Sequence, residues 1–236
     1  MYLDVVWFYQ ALSPGPLGGK VVVVIDVLRA TSTMVTALAG GCRGVLPELN
    51  LQAARERASR MIPGSYLLGG EEGALRPPGF DLGNSPRDYR PSLVAGKTII
   101  LATTNGTRAL RATTGAAEVL VGCFLNAGAV AEALKASGRN GLLVCAGQGG
   151  SFTPEDAACA GMIADRLLGY PGIEASPSVD EARRLYLAHR SRLPAFMRHT
   201  LGGANLIRLG LGADLEFCAR EDAFPLVPRY RKGLVV

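Results

Sequence analysis

Lys20-Val21-Val22-Val23-Val24-Ile25-Asp26-Val27-Leu28-Arg29-Ala30-Thr31-Ser32-Thr33 is the stretch that decides the fold class. An unbroken β-branched run between Lys20 and Asp26 reads as a strand buried on both faces, as inside a parallel or mixed sheet. Over residues 32–39 the apolar spacing suits a helix, and Gly40-Gly41 stops it. The segment is therefore strand, short polar turn, helix.

The same unit recurs along the chain. Residues 98–102 (TIILA) lead into Thr103-Thr104-Asn105-Gly106-Thr107 and a helical stretch from Arg108. Residues 118–124 read as a strand before a helix over 126–136. Residues 141–146 lead into a glycine-rich loop and a helix over about 154–168. Strands alternating with helices imply an α/β fold with crossover connections. The expected architecture is a three-layer α/β/α domain over residues 1–236, with a mixed, mostly parallel sheet. The repetition leaves room for two similar lobes dividing near residues 120–140. Residues 49–61 read as a surface helix, and the tail from Arg183 as helical and then short-stranded, at Phe217-Cys218 and Leu226-Val227. Residues 71–91 have neither period. A structureless stretch of that length within a compact domain marks a functional loop, and its Glu71, Asp81, Asn84 and Ser85 favour that reading.

Composition narrows the function. Of 236 residues, 48% are apolar and 19% charged, enough to close a core and too apolar for a disordered chain. Lys plus Arg number 25 against 20 Asp plus Glu, a net charge of +5. The excess is mild and lacks basic runs interleaved with aromatics, so it fits anionic metabolites and argues against nucleic acid. The five cysteines are odd in number and form no C-x-x-C pair. This points to a reducing, cytoplasmic setting rather than a disulfide framework or structural zinc. MYLDVVWFYQ at the N-terminus carries Asp4 within its apolar run and no basic segment, which is unlike a signal peptide. No uncharged run is long enough for a membrane helix. Apolar residues in the tail suggest a homodimer.

In open α/β sheets ligands collect beyond the carboxyl ends of the strands. Asp26 stands just past a buried strand, where a nucleophile or metal ligand belongs, or it caps the coming helix. Arg29 offers a planar fork for phosphate or carboxylate oxygens. Thr31 and Ser32 add hydroxyls near the helix start. Thr104, Asn105, Gly106 and Thr107 form a polar turn in which Asn-Gly lets a ligand approach the backbone. After the strand ending at Cys145, Thr153 and Pro154 suit a helix start. Glu155 and Asp156 either complement the helix dipole, hold Mg²⁺ or act as acid and base. Cys145 itself is a candidate nucleophile or a buried small hydrophobe. With only two histidines, a His-based zinc site or a Ser-His-Asp hydrolase is disfavoured, and no G-x-S-x-G elbow is present. The oxygen ligands suit Mg²⁺.

Taken in order, these segments resemble the 2-phosphosulfolactate phosphatases. The similar stretches are residues 24–33, Gly69-Gly70-Glu71 with Gly79-Phe80-Asp81-Leu82-Gly83-Asn84-Ser85-Pro86, and Thr103-Thr104-Asn105-Gly106-Thr107. Further ones are Cys145-Ala146-Gly147, Glu155-Asp156 and Cys159-Ala160-Gly161. Residues 206–210, Asp214 and Val227-Pro228 match the closing pattern. The resemblance covers nearly the whole chain. It implies a Mg²⁺-dependent phosphatase acting on phosphate esters of 2-hydroxycarboxylic acids, converting 2-phospho-3-sulfolactate to 3-sulfolactate and phosphate on the way to coenzyme M. On that reading Asp26, Glu71 and Asp81 are the candidate Mg²⁺ ligands. Arg29, Thr31, Ser32, Asn84, Ser85, Thr104, Asn105, Gly106 and Thr107 bind substrate. Asp26, Cys145, or a water directed by Glu155 or Asp156 supplies the nucleophile. The rival class is a non-catalytic anion-binding module on the same fold.

Two departures stand out. The family commonly has Gly-Glu-Arg where this chain has Gly70-Glu71-Glu72, so Arg76 replaces the missing cation only if its loop folds back. The family's Ser-x-His-Gly is Thr200-Leu201-Gly202-Gly203 here, with His199 displaced.

Overall fold

The computed structural model describes residues 1–12 and 17–236. The strands are β1 (Tyr2–Val6), β2 (Val21–Ile25), β3 (Gly44–Glu48), β4 (Tyr66–Gly70), β5 (Thr98–Ala102), β6 (Glu118–Gly122), β7 (Gly141–Cys145), β8 (Glu174–Ala175), β9 (Tyr230–Arg231) and β10 (Leu234–Val235). The helices are α1 (Ala30–Ala39), α2 (Leu51–Ala58), α3 (Pro91–Val94), α4 (Gly106–Ala112), α5 (Ala127–Ser137), α6 (Pro154–Leu167), α7 (Pro177–His189), α8 (Leu193–Arg198), α9 (Leu201–Arg208) and α10 (Ala213–Cys218).

The strands divide between two sheets, so the α/β architecture takes a two-sheet form. The first has the order β6-β2-β7-β1-β8 and is parallel throughout. The second has the order β4-β5-β3-β10-β9, with β3, β4 and β5 parallel and the C-terminal β9–β10 hairpin antiparallel at one edge.

The valine run behaves as its composition demands. Val21, Val23 and Ile25 face the core formed with α5, α6 and α7, whereas Val22 and Val24 face the opposite core, shared with α1 and the inner face of the second sheet. A strand wet on neither face needs apolar residues at both parities, and each such side chain contributes about 1.5–3 kcal/mol of burial. Ile100 and Ala102 close a third, smaller core against Ala54 and Ala58 of α2. Helix α1 thus lies between the two sheets and ties their carboxyl ends together.

The tail differs in detail from its expected form. Phe217 and Cys218 end helix α10 rather than a strand, and the short strands fall at Tyr230–Arg231 and Leu234–Val235. Residues 71–91 hold a 3₁₀ turn at Pro86–Asp88 and isolated bridges pairing Glu72 with Leu75 and Leu82 with Gly69 before α3. No helix among the described residues is long and apolar enough to cross a membrane.

Candidate active site

The carboxyl ends of β2, β4, β5 and β7 open into one cleft of about 430 Å³. Asp26 follows β2, Glu71 follows β4, Thr104 and Asn105 follow β5, and the Gly147–Gly149 turn follows β7. Helix α6 adds Glu155 and Asp156 from its first turn, α4 adds Arg108, and α9 adds Gly202, Asn205 and Leu206.

Asp26 is held from its own backbone outward. The Thr31 hydroxyl donates to the Asp26 carbonyl at 2.8 Å and accepts from its N–H at 3.0 Å, while the Ala30 N–H donates to Asp26 Oδ1 at 3.3 Å. Thr31 therefore shapes the turn from beneath rather than facing the cleft. The Ser32 hydroxyl is likewise spent on the Val27 carbonyl, and Thr107 on the Thr103 carbonyl. Gly106 packs directly over Asp26, since a Cβ there would sit 2.7 Å from Asp26 Oδ2 and 2.5 Å from Ala30 Cβ.

Asp156 is the cross-strap between two strand-end turns. It accepts from the Val27 N–H at 2.8 Å, the Thr153 hydroxyl at 2.7 Å and the Gly147 N–H at 3.4 Å. Glu155 beside it is 3% exposed, and its Oε2 has no hydrogen-bond partner among the described residues. These carboxylates are crowded and poorly solvated. Burial, then the charges of Asp156 and Glu71, push Asp26 well above the ordinary carboxylate range. Burial, then Glu155, push Asp156 up to about 7. Burial foremost also raises Glu155.

Arg29 is paired within the protein at the cleft wall. It is 2% exposed, and its guanidinium donates to Asp214 at 2.8 Å, to Glu71 at 3.3 Å and to the Ala74 carbonyl at 2.5 Å. Ser85 donates to the same Asp214 at 2.7 Å, and Asn84 donates to Glu71 at 3.1 Å. Thr33 anchors the Asn84 carbonyl at 2.8 Å. The loop of residues 71–91 is thereby clamped to α1 and α10, and Asn84 and Ser85 stand behind Glu71 rather than in the cleft.

Asp81 and Cys145, like Thr31, Ser32, Asn84, Ser85 and Thr107, lie outside the cleft lining. Asp81 is exposed, and its carboxylate accepts from the Leu68 N–H at 2.8 Å, outside the cleft lining. Cys145 is fully buried in the core behind the cleft. Burial, then Asp156 and Glu155, raise its thiol well above the usual cysteine range, so it stays protonated and lacks the thiolate a nucleophile needs. Of the two departures, Arg76 donates to the Asp81 carbonyl at 3.3 Å without reaching the cleft. His199 borders a separate surface hollow with His189, Arg192 and Phe196. Sequence reasoning missed Arg108, Asn205 and Gly202. For the latter two the available signal was spacing, since positions 202, 205 and 206 share one face of α9.

The donor set suits a hard divalent cation. Asp26 and Glu71 face the same cleft and repel each other. Of the cleft-lining groups, the buried Oε2 of Glu155 lacks a hydrogen-bond partner among the described residues. Among the described residues no three His, Cys, Asp or Glu side chains already form a metal shell. Mg²⁺ does not require one, because it is typically held by one or two carboxylates with water and phosphate completing the octahedron.

Comparison with known proteins places the whole chain. A family model described as 2-phosphosulpholactate phosphatase matches residues 10–233. A relative from Caldanaerobacter subterraneus subsp. tengcongensis, named probable 2-phosphosulfolactate phosphatase, is 38% identical over 235 residues, covering 100% of this chain and 98% of its own. Relatives of the same name from Thermotoga maritima and Symbiobacterium thermophilum are each 40% identical over 221 residues. They cover 94% and 93% of this chain, and 93% and 95% of their own. With matches that run nearly end to end and a cleft assembled from the matched motifs, the chain belongs to the 2-phosphosulpholactate phosphatase family.

Proposed function

We propose that the protein is a Mg²⁺-dependent phosphatase of 2-hydroxycarboxylic acid phosphates, cleaving 2-phospho-3-sulfolactate and water to 3-sulfolactate and phosphate. Family membership supports the reaction. The observation that carries it is the gathering of Asp26, Glu71, Glu155 and Asp156 around one cleft at converging strand ends. Four acids in one pocket would repel an anionic substrate unless a cation and protons offset them.

Asp26 and Glu71 would hold the Mg²⁺, which when bound neutralises phosphoryl charge and polarises phosphorus. Asp26 is the candidate nucleophile, because a cation bound beside it would offset the burial and the neighbouring charges of Asp156 and Glu71 that otherwise favour its protonated form. Its carboxylate attacks phosphorus, the bond from phosphorus to the substrate's 2-oxygen breaks, and water then hydrolyses the aspartyl phosphate. The leaving group is a secondary alkoxide and needs a proton. Glu155, whose hold on a proton burial strengthens and whose Oε2 has no hydrogen-bond partner among the described residues, would donate it and recover a proton from the water of the second step. Asp156 holds the Val27 and Gly147 turns in register around them. Asn105 and Thr104 border the cleft beside Asp26 and orient phosphate oxygens.

Phosphate release from phosphosulfolactate and phospholactate, measured with and without Mg²⁺, tests the activity. Binding without release at any pH from acidic to neutral would overturn it in favour of an anion-binding module. Borohydride trapping in a single turnover tests the aspartyl phosphate, and normal turnover by Asp26→Asn would exclude it. The cysteines identified as free and buried support a cytoplasmic location. Exposed Leu201 and Ile207 beside the cleft support a homodimer, which sedimentation analysis checks.

A further inference from the structure

The cleft lining contains two guanidiniums, and only one lacks a protein counter-charge. Arg29 is buried against Asp214, Glu71 and the Ala74 carbonyl, so its charge is paired and three of its five N–H donors are engaged. Arg108 is exposed, borders the cleft next to Thr104 and Asn105, and makes no ion pair or hydrogen bond with any described residue through its side chain. The neighbouring arginine of the same helix, Arg111, is instead paired with Glu48 at 3.4 Å. Arg108 also lines the small adjoining hollow formed with Glu71, Glu72 and Thr104, so it stands where the cleft widens away from Asp26. The other charged groups of the lining are the carboxylates of Asp26, Glu71, Glu155 and Asp156, and its uncharged polar groups are the amides of Gln10, Asn105, Gln148 and Asn205 and the hydroxyls of Tyr9, Thr104 and Thr153. The uncharged groups can hydrogen-bond an anion but offer no net charge to distinguish it from a neutral group.

We propose that Arg108 is the specificity-determining residue, which receives the substrate's second acidic group through its guanidinium fork. This inference rests on the phosphatase reading above and adds the feature of the substrate that the cleft selects. A planar fork pairs with two carboxylate or sulfonate oxygens at once, whereas an ammonium meets them as a point charge. The selected class is then a phosphate monoester with an acidic group close to the ester carbon. A simple secondary alkyl phosphate lacks that group and gains nothing from Arg108.

Phospholactate and isopropyl phosphate form the matched probe pair, since both release a secondary alcohol and only the first carries a carboxylate. Steady-state kinetics with Mg²⁺ are compared for the native protein, Arg108→Gln and Arg108→Lys. A charged hydrogen bond lost from the bound state costs kcat/KM about tenfold to a hundredfold. Arg108→Gln shows that loss on phospholactate, mainly through KM, with isopropyl phosphate changed less than about twofold by the same reasoning. Arg108→Lys falls between the two. Equal losses on both esters would overturn the proposal by assigning Arg108 to the phosphoryl group, and unchanged kinetics on both would overturn it outright. If the native protein cleaves neither ester nor phosphosulfolactate, the phosphatase reading itself fails. Thermal melting of the variants, expected to match the native protein because Arg108 is exposed and unpaired, separates any of these outcomes from misfolding.

Discussion

The wall of the cleft built on the first sheet carries Asp26, Glu155 and Asp156, none more than 8% exposed. The wall built on the second sheet carries Glu71, Thr104, Asn105 and Arg108, all partly or fully exposed. The difference arises past the strand ends. Strands β2 and β5 are both buried, but β2 delivers its next residue, Asp26, into a dry interior beneath Gly106, whereas β4 and β5 lead to half-buried Glu71 and exposed Thr104. A dry wall raises carboxylate pKa values and suits proton and phosphoryl chemistry. A wet wall leaves side chains free to meet a diffusing anion. On the proposed function, reaction belongs to the first wall and recognition to the second.

The hardest test of that division removes the charge at the floor of the dry wall. Asp26→Asn is expected to lower kcat on the order of a thousandfold or more, as for other nucleophile or metal-ligand losses, with a native circular dichroism spectrum. Retained turnover would place the chemistry elsewhere. Next in size is the clamp joining the two walls. Arg29→Met leaves Asp214 fully buried with Ser85 as its remaining side-chain donor. An unpaired buried charge of this kind costs about 3–5 kcal/mol, read by urea denaturation. If stability is unchanged and only KM rises, Arg29 acts on the substrate rather than the fold. Smaller again is Gly106→Ala. Its Cβ would fall 2.7 Å from Asp26 Oδ2, so the carboxylate must shift by a fraction of an ångström. Misplacement of that order lowers kcat by about tenfold to a hundredfold.

These contacts also mark where the sequence was readable. The valine run, the polar turns after β2, β5 and β7, and the caps of α6 were legible because local composition alone specifies them. Asp26, Asn105 and Glu155, read from those turns, accordingly line the cleft. The two-sheet division was not, because β3 contains Pro47 and β4 ends in Gly69-Gly70, which blunt the strand signal. The roles of Arg29 and Arg108 were also closed to sequence reasoning. Each is an arginine near a strand-end turn, and what separates them is a carboxylate 185 positions away, Asp214. Cys145 was ambiguous for a related reason, since a residue at a strand end can face either the cleft or the core.

Acidity gives a milder contrast between the walls. Asp156 has its pKa pushed up to about 7 from 3.8 by burial and by Glu155. Between those values the native protein holds a proton that the unfolded chain has released, so stability decreases as pH rises through that window and is greatest below it. The metal-free protein is expected to melt several degrees higher at pH 5 than at pH 8. A melting temperature that instead climbs with pH would mean that Asp156 is ionised and stabilised by its three donors.

The smallest effect is expected at Asp81, an acidic residue of the 71–91 loop outside both walls. Its carboxylate receives the Leu68 N–H at 2.8 Å from mid-strand β4, and its own N–H donates to the Leu68 carbonyl at 2.9 Å, so it continues the sheet edge as a local bridge. Asp81→Asn keeps an oxygen able to accept from Leu68 and loses only the charge on an exposed bond, at a cost of about 0.5–1.5 kcal/mol. The Mg²⁺ concentration for half-maximal activity is expected to stay within about twofold of native, because no lost contact faces the cleft. Glu71→Gln is the control that makes this reading sharp. Glu71 lies at the other end of the same loop, is shared by Arg29 and Asn84, and faces Asp26. Its variant should need at least about tenfold more Mg²⁺ if it holds the ion, since each tenfold change corresponds to about 1.4 kcal/mol. If the two variants exchanged behaviours, the cation would lie on the sheet edge and the cleft would lose its claim to be the phosphoryl site.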